Sequence, residues 1–272
     1  MVDPVRLIHI TDTHLFADKS KKLLGINTAY SLEMIIDYIK THETKKHMVI
    51  ATGDIAQEAS VQTYKNFMDI TQVLTARRLC LAGNHDELNE LNTQCAGLIH
   101  SSYDLNSHWR MVMLNTQVVG SNAGFIEKSQ LNVLTKACKA APAKHVLVAM
   151  HHNPVPVGSL WLDTMMIANA NELLLLVKQL TNVKLLVWGH VHQEYDSHYA
   201  LSTSVTEPTR YVRLLATPST CVQFKPRSPQ FAVDTLMPGY RWIDLYANGT
   251  LETGVVRVPI PNLHADLTSS GY

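Results

Sequence analysis

The stretch LVWGHVHQE, residues 186–194, decides how this chain is read. An apolar run stops at Gly189, and His190 and His192 follow with one residue between them. In an extended chain, side chains at i and i+2 share a face, so the two imidazoles can converge on one object. Histidines at a strand end are common, and this pair alone does not specify a metal. The same arrangement recurs outward along the chain. TDTHL (11–15) follows the run VRLIHI and sets Asp12 and His14 two residues apart. TGDIAQE (52–58) carries Asp54 behind a glycine, AGNHDE (82–87) supplies Asn84, His85 and Asp86, and MHHNP (150–154) supplies His151 and His152.

The runs before these motifs are apolar almost throughout: VRLIHI (5–10), MVIA (48–51), RLCLA (78–82), HVLVAM (145–150) and VKLLVW (183–188), with WRMVMLN (109–115) among them. Continuous apolar runs of this length suit strands covered on both faces. Between them, YSLEMIIDYIKTH (30–42) has apolar residues at 32, 35, 36 and 39, a helical period, and similar segments lie near 60–75, 86–96, 127–140 and 169–180. The alternation predicts an α/β fold, a sheet covered by helices. After residue 193 the texture changes. YVRLLATP, CVQF, RWIDLY and LETGVVRV read as strands, with Asn248-Gly249 as a hairpin turn. The last third is therefore expected to be antiparallel, a second sheet beside the first. Residues 1–262 read as one domain, and 263–272, ending in LTSSGY, as a frayed tail.

Composition narrows the function. The 272 residues are 46% hydrophobic and 17% charged, and Lys plus Arg (23) equal Asp plus Glu (23). A formal charge of zero leaves no electrostatic footprint for nucleic acid or an anionic membrane, though a small phosphorylated ligand needs only local positive charge. The four cysteines (Cys80, Cys95, Cys138, Cys221) are widely spaced, without CxxC, and read as reduced buried thiols. The N-terminus enters a strand directly, and the apolar helical stretch NELLLLVKQL (171–180) is too short to span a bilayer. A cytoplasmic location is expected.

Polar residues just past the C-terminal ends of strands are where α/β sheets place ligands. Five such positions here supply Asp, His, Asn and carboxylate groups suited to divalent metals with mixed nitrogen and oxygen ligands. Gly53, Gly83 and Gly189 suit the tight turns such a crowded centre requires. Asp12, Asp54 and Asn84 could each serve as a helix N-cap, but capping does not account for them together with His14, His151, His190 and His192. His152 reads as a pocket-wall or hydrogen-bonding residue, and Trp161 and Trp188 as core.

These blocks, D-x-H, G-D, G-N-H-D, a later H and G-H-x-H, resemble the calcineurin-like metallophosphoesterases. TDTHLF, ATGDIAQE, HHNPVPVGSLWLD, GHVHQE, ATPSTCVQFKP and PGYRWIDL further resemble the bacterial CpdA-type 3′,5′-cyclic AMP phosphodiesterases, the class III cyclic nucleotide enzymes, over about residues 5–257. The resemblance implies a four-layer α-β-β-α sandwich of two mixed β-sheets flanked by helices. It implies two divalent ions, Fe²⁺ or Mn²⁺ with Zn²⁺ open. Asp12, His14 and His192 would hold the first, Asn84, His151 and His190 the second, and Asp54 would bridge them. It implies a catalytic His85, with His14, Asp54, Asn84, His85 and His192 facing the substrate. The reaction implied is hydrolysis of 3′,5′-cyclic AMP to 5′-AMP by a metal-bridging hydroxide, lowering cyclic AMP signalling. Other readings stay open: a 2′,3′-cyclic nucleotide or glycerophosphodiester as substrate, or a non-catalytic nucleotide sensor. A cyclic nucleotide partner is expected, with no nucleic acid and no membrane, as monomer or homodimer. One position departs from the family pattern. Gln57 stands where many members have an aspartate that orients the G-N-H histidine, leaving Asp86 and Glu58 as candidates to steady His85.

Overall fold

A computed structural model of the chain describes residues 3–74, 76–201 and 209–271. It begins with β1 (Val5–Ile10), a small hairpin of β2 (Lys22–Leu23) and β3 (Ile26–Asn27), and α1 (Thr28–His42). β4 (Met48–Thr52), α2 (Val61–Thr71), β5 (Arg77–Leu81) and α3 (Leu88–Gln94) follow. Next come β6 (Ser102–Asp104), β7 (Trp109–Met113), α4 (Lys128–Ala140), β8 (His145–Ala149), α5 (Leu160–Asp163), α6 (Ala170–Gln179) and β9 (Val183–Trp188). The chain closes with β10 (Tyr195–Ala200), β11 (Tyr211–Ala216), β12 (Gly239–Leu245) and β13 (Leu251–Arg257).

Two mixed sheets result. One has the order β13-β12-β1-β4-β5 and the other β10-β11-β9-β8-β7-β6. In the first, β1, β4 and β5 are parallel, and β12 and β13 add antiparallel strands at one side. In the second, β7, β8, β9 and β11 are parallel, with β6 and β10 antiparallel at its edges.

The apolar runs are continuous because each strand is buried on both faces. Leu7 of β1 packs between the sheets, where Ile50, Trp109, Leu147, Val187 and Ile243 also meet. Its neighbours Ile8 and Ile10 face outward onto Leu32, Ile35 and Ile39 of α1 and Phe67 and Ile70 of α2. In the second sheet, Leu147 points between the sheets while Val146 and Val148 meet Leu134 of α4 and Leu173 and Val177 of α6. Three apolar layers therefore separate four layers of structure, α-β-β-α. Fully burying a Leu or Ile of this kind contributes about 1.5–3 kcal/mol. Leu147→Ala, at a side chain with no exposure, should cost about 2–5 kcal/mol. α1 starts where Asn27 caps it, its side-chain oxygen accepting from the Tyr30 amide at 2.8 Å.

The last third differs from expectation. Its strands do not make a sheet of their own: β10 and β11 extend the second sheet and β12 and β13 the first. β11 runs parallel to β9, because the chain doubles back through β10 at the edge before entering. CVQF is not a strand and retains only a bridge from Phe224 to Val233. The Asn248-Gly249 turn does join β12 to β13, with Gly249 at φ 87° and the Asn248 side chain accepting from the Thr250 amide at 3.0 Å. In residues 263–271, where the sequence suggests a frayed tail, Leu263 and Ala265 pack against the core and the Asp266 amide donates to the Leu24 carbonyl at 2.8 Å.

Candidate metal centre

The parallel strands of both sheets end at one edge of the sandwich, and every block of the sequence pattern sits there. Their loops are zipped together by backbone bonds: Asp12 N–H to the Gly53 carbonyl (3.1 Å), His14 N–H to Asp54 (2.9 Å) and Gly189 N–H to His151 (3.1 Å). The turns are strained. Asp12, His14, Asp54, His190 and His192 all have positive φ, 44° to 63°, and make up five of the eight non-glycine residues so placed among those described. Left-handed backbone at non-glycine residues costs roughly 1–3 kcal/mol each and persists where surroundings over-determine it. Gly53, at φ 91°, is required for a further reason. A Cβ there would lie 2.6 Å from both the Gly83 amide nitrogen and His151 Nδ1.

Asp12, His14 and His192 form one group of donors and are fully buried. His14 Nδ1 donates to Gln57 Oε1 at 2.6 Å, and His192 Nδ1 to the Val222 carbonyl at 2.8 Å. A neutral imidazole held this way at Nδ1 presents an unprotonated Nε2, and the two Nε2 atoms face each other at 3.0 Å. Two lone pairs at that distance repel unless a cation lies between or beside them. Asp12 Oδ1 is 3.5 Å from His192 Nε2, and both its oxygens accept from the His190 amide at 3.0 Å. Across the centre, His151 Nδ1 bonds to the Thr52 carbonyl at 2.8 Å, leaving its Nε2 3.0 Å from Asn84 Oδ1. His190 Nε2 is buried with no hydrogen-bond partner in the structure described. Asp54 stands between the halves. Its Oδ2 is 3.7 Å from His14 Nε2 and 3.3 Å from His151 Nε2, while Oδ1 accepts from the His85 amide at 2.9 Å.

The electrostatics point the same way. Burial alone would raise the Asp54 pKa, but His151, His85 and His14 hold it well below the ordinary carboxylate value. Burial likewise opposes ionisation of Asp12, yet His192 and His151 lower it. Burial drives His14 down to about 3 and His190 well below the usual range, so both are neutral and ready to ligate. His151 goes the other way, to about 9, because Asp54 and Asp12 outweigh its burial. The carboxylates thus draw a proton onto the nearest imidazole, which a divalent cation would displace. Buried carboxylates, the neutral imidazoles of His14 and His190, two Nε2 atoms 3.0 Å apart and an unpartnered nitrogen fit divalent metals with mixed N and O ligands.

All eight residues expected at the centre are brought together. His152 is buried beside His151 and His190, ring centroids 4.8 and 4.7 Å away, with Nδ1 2.7 Å from Thr116 Oγ1. Of the two candidates to steady His85, Asp86 accepts from the Ile55, Ala56 and Gly83 amides and the Tyr64 hydroxyl. Burial first, and Asp54 second, push that carboxyl up to about 7. Glu58 lies at the surface, paired with Lys21 at 2.8 Å. Gln57, the departure from the family pattern, anchors His14 instead. The STCVQF segment buttresses the same half: Ser219 Oγ donates to the Asp12 carbonyl at 2.8 Å, and Phe224 stacks on His192 at 4.2 Å and 12°. Sequence reasoning missed these roles, although the departure at Gln57 was a signal. Trp188 is core as expected, but Trp161 is half-buried and lines a cavity over Asn84, His85 and His190.

The calcineurin-like phosphoesterase family pattern matches residues 5–194. The chain belongs to this family. A calcineurin-like phosphoesterase is a hydrolase with a dinuclear metal-binding centre, and the Asp and His side chains gathered here are candidate ligands. The chain is 37% identical to the Pseudomonas aeruginosa protein named 3′,5′-cyclic adenosine monophosphate phosphodiesterase CpdA, over 98% of this chain and 95% of that one. Against the Escherichia coli K12 protein of the same name it is 38% identical, with the same coverage. Among solved structures it is similar to a dimetal phosphatase from Danio rerio, with TM-score 0.63 and 12% identity over 95% of this chain and 100% of that one. It is also similar to a purple acid phosphatase from yellow lupin, with TM-score 0.65 and 12% identity over 97% and 53%. At such identity the likeness is one of fold, and it agrees with the four layers seen here.

Proposed function

We propose that this calcineurin-like phosphoesterase hydrolyses 3′,5′-cyclic AMP to 5′-AMP. The observation that carries the reading is Asp54, whose one carboxylate oxygen lies within 3.7 Å of His14 and 3.3 Å of His151, between two groups of donors. In this account Asp12, His14 and His192 would hold one divalent cation and Asn84, His151 and His190 the other, with Asp54 as a ligand available to each. Fe²⁺ or Mn²⁺ suits these donors, and Zn²⁺ fits them as well. The relatives named as cyclic AMP phosphodiesterases, 37% and 38% identical along 98% of the chain, support the choice of substrate.

When bound, two such ions supply Lewis acidity to the phosphoryl oxygens and lower the pKa of a coordinated water. The chain's own residues do the rest. Gln57, Val222 and Thr52 fix the tautomers of His14, His192 and His151, so that Nε2 faces inward in each. Asn84 offers its amide to the phosphate, and His14, Asp54 and His192 line the same inner surface. His85 is half-buried, 5.0 Å from the His14 ring, and its backbone is tied to Asp54. It donates a proton from its ring to O3′ as the oxygen of the attacking water joins phosphorus and the P–O3′ bond breaks; the proton that this water loses passes to solvent, from which His85 is reprotonated.

No helix among the described residues is long and apolar enough to cross a membrane. The four cysteines are buried and unpaired, which suits a reducing compartment, and we carry the cytoplasmic setting forward. The test is turnover of 3′,5′-cyclic AMP beside 2′,3′-cyclic AMP and bis(p-nitrophenyl) phosphate, with metal content measured on the same protein. The account expects preference for the 3′,5′ isomer, and loss of both metals and all turnover in Asp54→Ala. Turnover of the aryl diester alone would keep the metals and reject the substrate.

A further inference from the structure

The cavity beside the metal centre encloses about 330 Å³. Ligand sites run from roughly 300 to 1,000 Å³, so this one takes a single small ligand rather than a polymer. Asn84, His85 and His190 form its inner side, and Trp161, Met165 and Phe231 an apolar side. The described residues lining it include no lysine or arginine, so nothing beyond the centre itself is built to hold further phosphates. Trp161 and Phe231 meet edge to face, 5.2 Å between centroids at 66°, and Phe224 packs on the same indole at 5.1 Å and 73°. The indole is thereby held rigid.

We infer that the apolar side of this cavity is a nucleobase subsite, with Trp161 as its specificity-determining residue. The inference rests on the reading of the substrate as a cyclic nucleotide. The phosphate sits at the metal centre, and the base is held against Trp161, Met165 and Phe231. Stacking of a base on an aromatic wall strengthens binding roughly five- to a hundredfold. A small aryl diester has no base to place here, so the subsite separates nucleotides from other diesters after the metals have selected for phosphate.

The test compares 5′-AMP with ribose 5-phosphate, which carries the same sugar phosphate without the base, by calorimetry on the metal-loaded protein. The wild type should bind 5′-AMP at least about tenfold more tightly. Trp161→Ala should bring the ratio close to one, and Trp161→Phe, which keeps a smaller aromatic ring, should leave it between. In both variants the affinity for ribose 5-phosphate should stay within about twofold, which also reports that fold and metals are intact. A wild-type ratio near one, a ratio unmoved by Trp161→Ala, or equal weakening of both ligands would overturn the subsite. Preference for 5′-AMP without turnover of 3′,5′-cyclic AMP would keep the subsite and reject the proposed activity instead.

Discussion

On one side of Asp54, the donors Asp12, His14 and His192 are buried; on the other, Asn84 and His190 border an open cavity while His151 is buried behind them. The sealed half has its imidazoles fixed from behind by Gln57 and Val222, an aromatic ring stacked on His192, and its aspartate tied to the His190 amide. The open half has one imidazole fixed, by the Thr52 carbonyl, a half-buried asparagine, and a histidine nitrogen without a partner. Partners of this outer kind preset ring orientation and raise ligand basicity. On the proposed function, the difference would let one half retain its cation and the other exchange ligands with what enters the cavity, and would place binding and chemistry on the open side.

The sharpest way to break that comparison is His85→Ala, which removes the proposed proton donor on the open side. It should lower kcat about 10²- to 10⁴-fold, with both metals still present by elemental analysis. Loss of a metal would show that His85 is structural to the centre. Next in size is Gln57→Ala, which frees His14 in the sealed half. Metal affinity there should fall about 10- to 100-fold, while kcat at saturating metal changes little. An equal loss at the other position would erase the asymmetry. Smallest is a control remote from both halves. Arg110, with Lys144 also paired to Asp104, holds the Asp104 carboxylate at about 2, below its ordinary 3.8, against an opposing effect of burial. A carboxylate depressed on folding stabilises the fold above its ordinary pKa and loses that contribution as pH falls through its folded one. Asp104 is half-exposed, so Asp104→Asn should cost less than about 1 kcal/mol at pH 7. In urea unfolding followed downward in pH, the difference should shrink between about 3.8 and about 2, and metal content should not change.

The strands and the inner residues were legible for one reason. Strands such as β1 and β8 are covered on both faces, so their sequences are apolar without alternation, and whatever polar residue follows each run stands out. Asp12, Asp54, Asn84, His151, His190 and His192 are visible in that way. Partner choice in the last third was not, since nothing in YVRLLATP distinguishes pairing with β9 from pairing with its own neighbours. β10, YDSHYA, escaped notice because its side chains alternate between half-buried and exposed at a sheet edge. The supports of the centre were hidden more deeply. Thr52 and Val222 act through backbone carbonyls, which every residue possesses. Trp161 and Phe224 act through ring contacts that exist only once the chain has folded.

The most direct measurement of the central claim is metal content followed against 3′,5′-cyclic AMP turnover as a chelator is added in steps. The account predicts that one metal per chain leaves first and takes turnover with it, while the second is retained at chelator concentrations severalfold higher. Turnover that persists after the first metal has gone, or two metals that leave together, would contradict it.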